Sequence, residues 1–182
     1  PADVKSVYRY DERVDEVLQD MREHGMTAVT PVAPTLTSIR DGKATFDYAA
    51  ADRHMARVKK AGFTKECFTY ASMFRVRPAD EMAAEARKYG LSVEEAIKTA
   101  YQELGKHMKE ADWLPMAWAL GDEPLIHGVT PETVISTFEA HRKAAPQMQF
   151  VIEDAMGSPD HWKVIPAIDI VSGNSQIGRA HV

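Results

Sequence analysis

The chain has 182 residues, 27% of them charged and 45% hydrophobic, with one cysteine and a formal net charge of -5. That length is enough for a single domain with a full core, and the acidic balance argues against nucleic acid or an anionic membrane as the main partner. Cys67 excludes an internal disulfide framework and reads as a small buried side chain, and no stretch reaches the roughly 18–20 apolar residues that cross a bilayer.

The chain opens at Pro1 rather than at a methionine, so the lack of a signal peptide says nothing about export. Asp11 is placed to cap a first amphipathic helix, with Val14, Val17, Leu18 and Met21 at i, i+3, i+4 and i+7 and Gly25 at its end. The apolar run Met26 to Val32 then reads as a strand. Asp47 is placed to cap a second helix that buries Tyr48, Ala51, Met55 and Val58 and stops at Gly62. Residues 66–71 read as another strand. The long connection 72–91 predicts a functional loop carrying a short helix at 79–88. Ser92 and Glu95 have capping-box spacing, and the helix they open runs through Ile97, Tyr101 and Leu104 to Met108.

Residues 116–120, Met-Ala-Trp-Ala-Leu, predict a short buried strand that Gly121 ends. Asp122 and Glu123 then stand at its carboxyl end, where α/β folds build their sites. Two neighbouring carboxylates invite acid/base chemistry, because each raises the other's cost of ionising. The competing reading is a turn, since Asp and Glu before Pro124 suit one. Thr130 and Pro131 open a further helix through Val134, Ile135 and Phe138. Gln149 to Ile152 reads as a strand ending in Glu153 and Asp154. A short helix near 160–166 and a strand from Ile168 to Ser172 follow, with Asn174 just beyond. The last six residues, Ile177 to Val182, match the translation of a common sequencing adapter. The expectation is a native segment 1–176 cut at both ends, a metagenomic read-through fragment with a non-native tail 177–182.

Strands joined by helices of this length pair in parallel through right-handed crossovers, which leaves a doubly wound sheet or a (β/α)8 barrel. Neither G-x-G-x-x-G nor G-x-x-x-x-G-K is present, which weakens nucleotide binding. A barrel needs about 250 residues. The expected fold is therefore α/β, a partial (β/α)8 TIM barrel carrying roughly strands 2–6 with their helices, left open.

Tyr10-Asp-Glu-Arg, Asp20-Met-Arg-Glu-His-Gly-Met26, Phe46-Asp47 and above all Gly121-Asp-Glu-Pro124 resemble glycoside hydrolase family 123, over most of residues 8–176. The resemblance implies a barrel enzyme acting on β-N-acetylgalactosaminides by substrate-assisted hydrolysis, in which the sugar's 2-acetamido oxygen is the nucleophile. Glu123 is then the acid/base and Asp122 holds the acetamido N–H and the charge of the oxazolinium-like intermediate. In that role Glu123 starts protonated, with its pKa expected to be raised by Asp122 and a partly apolar pocket. Tyr70 and Trp118 are candidate aromatic contacts to the sugar, although Trp118 suits core packing as well. Asp154 and Asn174, with Glu153 beside them, are candidates to bond sugar hydroxyls. His127 and His161 read as surface residues. The resemblance implies an oligosaccharide or glycoconjugate substrate, no cofactor and no metal. It allows a secreted or periplasmic location without specifying one, and oligomeric state is open. The isolated fragment is expected to be inactive.

Three other readings remain. A two-carboxylate retaining glycosidase on the same barrel keeps Glu123 as acid/base and takes its nucleophile from a later strand. A metal-dependent sugar isomerase or epimerase takes Glu123, Asp154 and His127 as ligands, although no H-x-H or E-x-x-H spacing supports it. A non-catalytic carbohydrate-binding barrel is the third.

Overall fold

The structure is a computed structural model that describes residues 5–154 and 159–173. Asn174 and the tail 177–182 lie outside the described residues. In chain order the elements are α1 (Lys5–Glu23), β1 (Thr35–Arg40), β2 (Lys43–Asp47), α2 (Ala49–Lys60), β3 (Cys67–Tyr70), α3 (Ala79–Arg87) and α4 (Val93–Glu110). They continue with β4 (Met116–Asp122), α5 (Pro131–Ala144), β5 (Gln149–Asp154), α6 (Pro159–Val164), a 3-10 turn (Ile165–Ala167) and β6 (Ile170–Gly173).

Strands β3, β4, β5 and β6 form one sheet in that spatial order, every pair parallel. Sequential order with helical crossovers of one hand stacks the helices on one face of the sheet. The side chains agree. Met116, Trp118, Leu120, Phe150 and Ile152 join Ile97, Tyr101 and Leu104 of α4 and Val134 and Phe138 of α5 in the main core. Ala117, Ala119 and Val151 point the other way and pack with Phe68, Tyr70 and Ile170. β4 is thus buried on both faces as far as Gly121, which explains its unbroken apolar sequence. Each large core side chain contributes about 1.5–3 kcal/mol through burial.

The helices begin as their sequences dictate. Ser92 and Glu95 make a reciprocal capping box on α4. Thr130 Oγ1 accepts the Thr133 N–H at 3.3 Å with Pro131 in the first turn of α5. Asp47 Oδ1 accepts the Ala49 N–H at 3.0 Å at the start of α2, where Tyr48 is the capping position. Asp11 is a correction: α1 already starts at Lys5, so Asp11 lies within the helix rather than at its cap.

The largest departure concerns Met26 to Val32, which is not a strand. Pro31 within this stretch and Pro34 just beyond it have no N–H to donate, so no regular ladder forms. The segment nevertheless runs beside β3 in a constant offset. Thr69 Oγ1 donates to the Pro31 carbonyl at 2.6 Å and Ser72 Oγ to the Pro34 carbonyl at 2.8 Å, both 38 residues apart. The Val29 backbone bonds Cys67 at the same spacing. Side chains of β3 and the residues after it do here what ladder bonds do elsewhere. The following hairpin departs from the helix-and-strand alternation: β1 and β2 pair antiparallel around Asp41 and Gly42, whose φ values are 52° and 69°. His161, expected at the surface, is buried at 4% exposure, one turn from buried Val164 on a helix packed against α5.

Candidate active site

The carboxyl ends of the parallel strands carry Tyr70 on β3, Asp122 on β4 and Glu153 on β5. Plain alternation along β4 would send Asp122 to the helix side with Trp118 and Leu120. A register shift prevents this. Ala119 pairs with Val151 but Gly121 pairs with Ile152, so Leu120 is an extra residue on β4. Beyond the bulge the parity is reversed, and Asp122 pairs with Glu153 on the face that carries Ala119 and Tyr70. The Leu120 carbonyl at the bulge accepts the Val76 N–H at 2.7 Å, which ties the loop after β3 to the end of β4.

The turn that follows is tight. A β-carbon on Gly121 would lie 3.1 Å from Pro124 Cγ, so glycine lets Pro124 return this close without displacing its ring. Glu123 has φ of +46°, a left-handed conformation that costs a non-glycine residue about 1–2 kcal/mol. Its N–H donates to the Glu153 carbonyl at 2.7 Å, and its carbonyl accepts the His127 N–H at 3.0 Å. Asp122 therefore ends the strand while Glu123 turns out of it. Adjacent carboxylates leave the sheet in different backbone states, Asp122 exposed and Glu123 half-buried.

Tyr70 OH donates to Glu153 Oε2. Its phenol is held well above its ordinary pKa, first by burial, then by the bond and charge of Glu153, with Asp122 adding to both effects. The Arg75 guanidinium lies over the Tyr70 ring, 5.4 Å from its centre. Within the same loop Arg77 pairs with Glu85 at 3.3 Å, while Glu85 also accepts the Phe74 N–H at 3.4 Å.

A family model for the glycoside hydrolase 123 catalytic domain matches residues 10–172. The chain belongs to glycoside hydrolase family 123. Membership makes it a glycoside hydrolase domain and its substrate a carbohydrate. No curated protein matches the chain.

Within this family 123 domain, the structure brings Tyr70, Asp122 and Glu153 together, and Glu123 follows Asp122 with its N–H on the Glu153 carbonyl. Trp118 is elsewhere. It is 1% exposed on the helix side of β4, edge-on to Tyr101 with ring centres 6.3 Å apart. Its large apolar surface fills the core, which removes it from the candidate sugar contacts. Asp154 ends β5 with its backbone paired to Gly173, its side chain lies outside the described set, and so does Asn174. His127 is exposed in the turn after Pro124. Among the described residues no three His, Cys, Asp or Glu side chains group closely enough to hold a metal ion. Of the two carboxylates that end β5, Glu153 is the one that reaches Tyr70. The signal that finds it is parity: Val151 and Glu153 share the face of β5 that Tyr70 reaches across.

Proposed function

We propose that the four parallel strands are an arc of a (β/α)8 barrel within residues 1–176, and that this domain hydrolyses β-linked N-acetylhexosaminides with retention, N-acetylgalactosaminides foremost. Sequential parallel order supports the barrel, and so does the run 29–34, which lies where a preceding strand would. The arc alone turns over little substrate in this reading, and activity belongs to the intact enzyme that contains it.

The observation that carries the mechanism is the different placement of the two adjacent carboxylates. Asp122 is aligned with Tyr70 and Glu153 on the sheet face, while the left-handed turn frees Glu123 from that alignment. One carboxylate can then address the acetamido group while the other addresses the glycosidic oxygen. In the first step the acetamido carbonyl oxygen attacks C1 and the bond from C1 to the leaving oxygen breaks. Glu123 gives that oxygen its proton, and Asp122 accepts the N–H of the resulting oxazolinium ion. In the second step water attacks C1, Glu123 takes the water's proton, and the ring reopens to the acetamido sugar.

The test is a pair of aryl β-galactosides that differ only at C2. The 2-acetamido compound is expected to turn over and the 2-hydroxy compound is not. Successive fluorination of the acetyl group should lower kcat stepwise, because it weakens the attacking oxygen. Isolation of a glycosyl–protein ester would sink the scheme.

A further inference from the structure

Glu153 touches both members of the carboxylate pair. Its carbonyl accepts the Glu123 N–H at 2.7 Å, its Cα is the ladder partner of Asp122, and its carboxylate accepts the Tyr70 hydroxyl. Like charges in register on neighbouring strands repel. The Tyr70 phenol lies between these two carboxylates: its hydroxyl is bonded to Glu153, while the Asp122 charge is near enough to help hold the proton on it.

The local sequence explains how Tyr70 gets there. It starts from β3, with Ala119 of β4 as its ladder partner, yet its hydroxyl reaches β5. Strands lie about 4.8 Å apart, so the phenol and the Glu153 side chain together span roughly two spacings. Ala119 is fully buried and has only a methyl group on that face, which lets the ring cross β4. Arg75 covers the ring from the loop.

We propose that Glu153 is a positioning residue for the glycosidase reaction: by drawing the Tyr70 proton to itself it leaves Asp122 open to accept the acetamido N–H, while its carbonyl fixes the turn that delivers Glu123. The inference rests on the substrate-assisted reading of the site. A hydroxyl bonded to Asp122 competes with the substrate for the same oxygens. Glu153 supplies the alternative acceptor, so the phenol braces the site instead of blocking it. The high phenol pKa keeps that proton in place across the working range of a glycosidase.

The experiment is a mutant cycle in the intact enzyme on aryl 2-acetamido β-galactosides, with KM and kcat measured separately. Glu153→Ala should lower kcat/KM on the order of 100-fold, with KM raised as well as kcat lowered, because Tyr70 then turns to Asp122 and competes with the acetamido group. Adding Tyr70→Phe to that variant removes the competing hydroxyl and should restore most of the loss. A merely structural role for Glu153 predicts the reverse, a double variant as poor as the single one or poorer, and that result overturns the proposal. If Glu153→Ala does not fold, Glu153→Gln decides: its neutral amide oxygen is a weaker acceptor than the Asp122 carboxylate, so kcat should fall, by less than for Asp122→Asn, and adding Tyr70→Phe should restore it. A loss as large as that of Asp122→Asn, or an ester trapped on Glu153, would overturn the role. Equal turnover of 2-hydroxy glycosides by the unmutated enzyme would overturn the substrate-assisted reading itself. Failed rescue in an enzyme selective for the 2-acetamido group overturns only the part given to Glu153.

Discussion

Pro124 folds back over Gly121 until its ring occupies the space where a side chain would begin, with Cγ 3.1 Å from an ideal β-carbon. The contact sets the path of the chain between the two carboxylates. Gly121→Ala forces the ring to move by a few tenths of an ångström, an overpacking cost of about 1–3 kcal/mol. Urea unfolding should show that loss, and kcat should fall by a larger factor than KM changes. An alanine variant as stable and as active as the parent would show that the turn is not tight.

Glu123 is strained where it stands. Glu123→Gly relieves a left-handed conformation that glycine adopts freely, so the unfolding midpoint should be unchanged or higher. Activity should fall by about 10²–10⁴-fold, the usual range for a lost acid/base. A drop in both stability and activity would mean that the carboxylate holds the fold rather than performs chemistry.

Glu123→Gln separates the acid role from the rest. Aryl glycosides with poor leaving groups need the proton most, so their kcat should fall furthest and the dependence of rate on leaving-group pKa should steepen. A uniform loss across leaving groups would point away from Glu123 as the acid.

His141 predicts a pH dependence of stability. It is fully buried on α5 between Tyr101 and Phe150, its Nδ1 donates to the Thr137 carbonyl at 2.8 Å, and its Nε2 has no partner among the described residues. Burial pushes its pKa down from 6.5 to about 4. The unfolded chain therefore takes up a proton below pH 6.5 that the folded chain refuses. This group costs nothing well above pH 6.5, and the penalty grows as pH falls to about 4, reaching about 3 kcal/mol. Chemical unfolding between pH 7 and pH 4 should show that decline, and His141→Phe should flatten it. Equal slopes in the two proteins would refute the assignment.

A control lies at the amino end of β4, opposite the end that carries the carboxylates. Asp52 Oδ1 accepts from His107 Nε2 and from Trp113 Nε1, each at 2.8 Å, and Tyr48 stacks on His107 with ring centres 3.5 Å apart. Asp52→Ala leaves both ring donors without this acceptor and should destabilise by about 1–3 kcal/mol. At a temperature where the variant is folded, kcat should match the parent. A kcat change there would connect this cluster to the site.

The parts of this molecule that could be read from sequence are those whose signal is local. The Ser92 and Glu95 box, the Thr130–Pro131 start and the apolar stretch of β4 each depend on neighbours within a few residues, and each is present. Met26 to Val32 misleads because hydrophobicity marks burial, whereas Pro31 and Pro34 decide whether a ladder can form. The hairpin carried its own signal, Asp41-Gly42 between two alternating runs, which outweighs helix-and-strand regularity. Asp122 was placed at the right strand end, but its facing depends on the extra residue at Leu120. Nothing in the local sequence announces that bulge. Glu153 is similar, since its importance comes from Tyr70 reaching over Ala119, a relation across three strands.

The segment 29–34 has a consequence for solubility. A bare strand edge offers its N–H and C=O groups to any passing chain, and sheets of this kind aggregate through such edges. Along β3 that edge is occupied by a stretch whose two prolines have no N–H to offer and whose carbonyls already accept the hydroxyls of Thr69 and Ser72. A foreign strand arriving at β3 would find this place filled, by a stretch that lacks two of its N–H donors and has two of its carbonyls already bonded. The same two prolines that keep 29–34 from forming a ladder thus leave the outer flank of β3 a poor template for self-association.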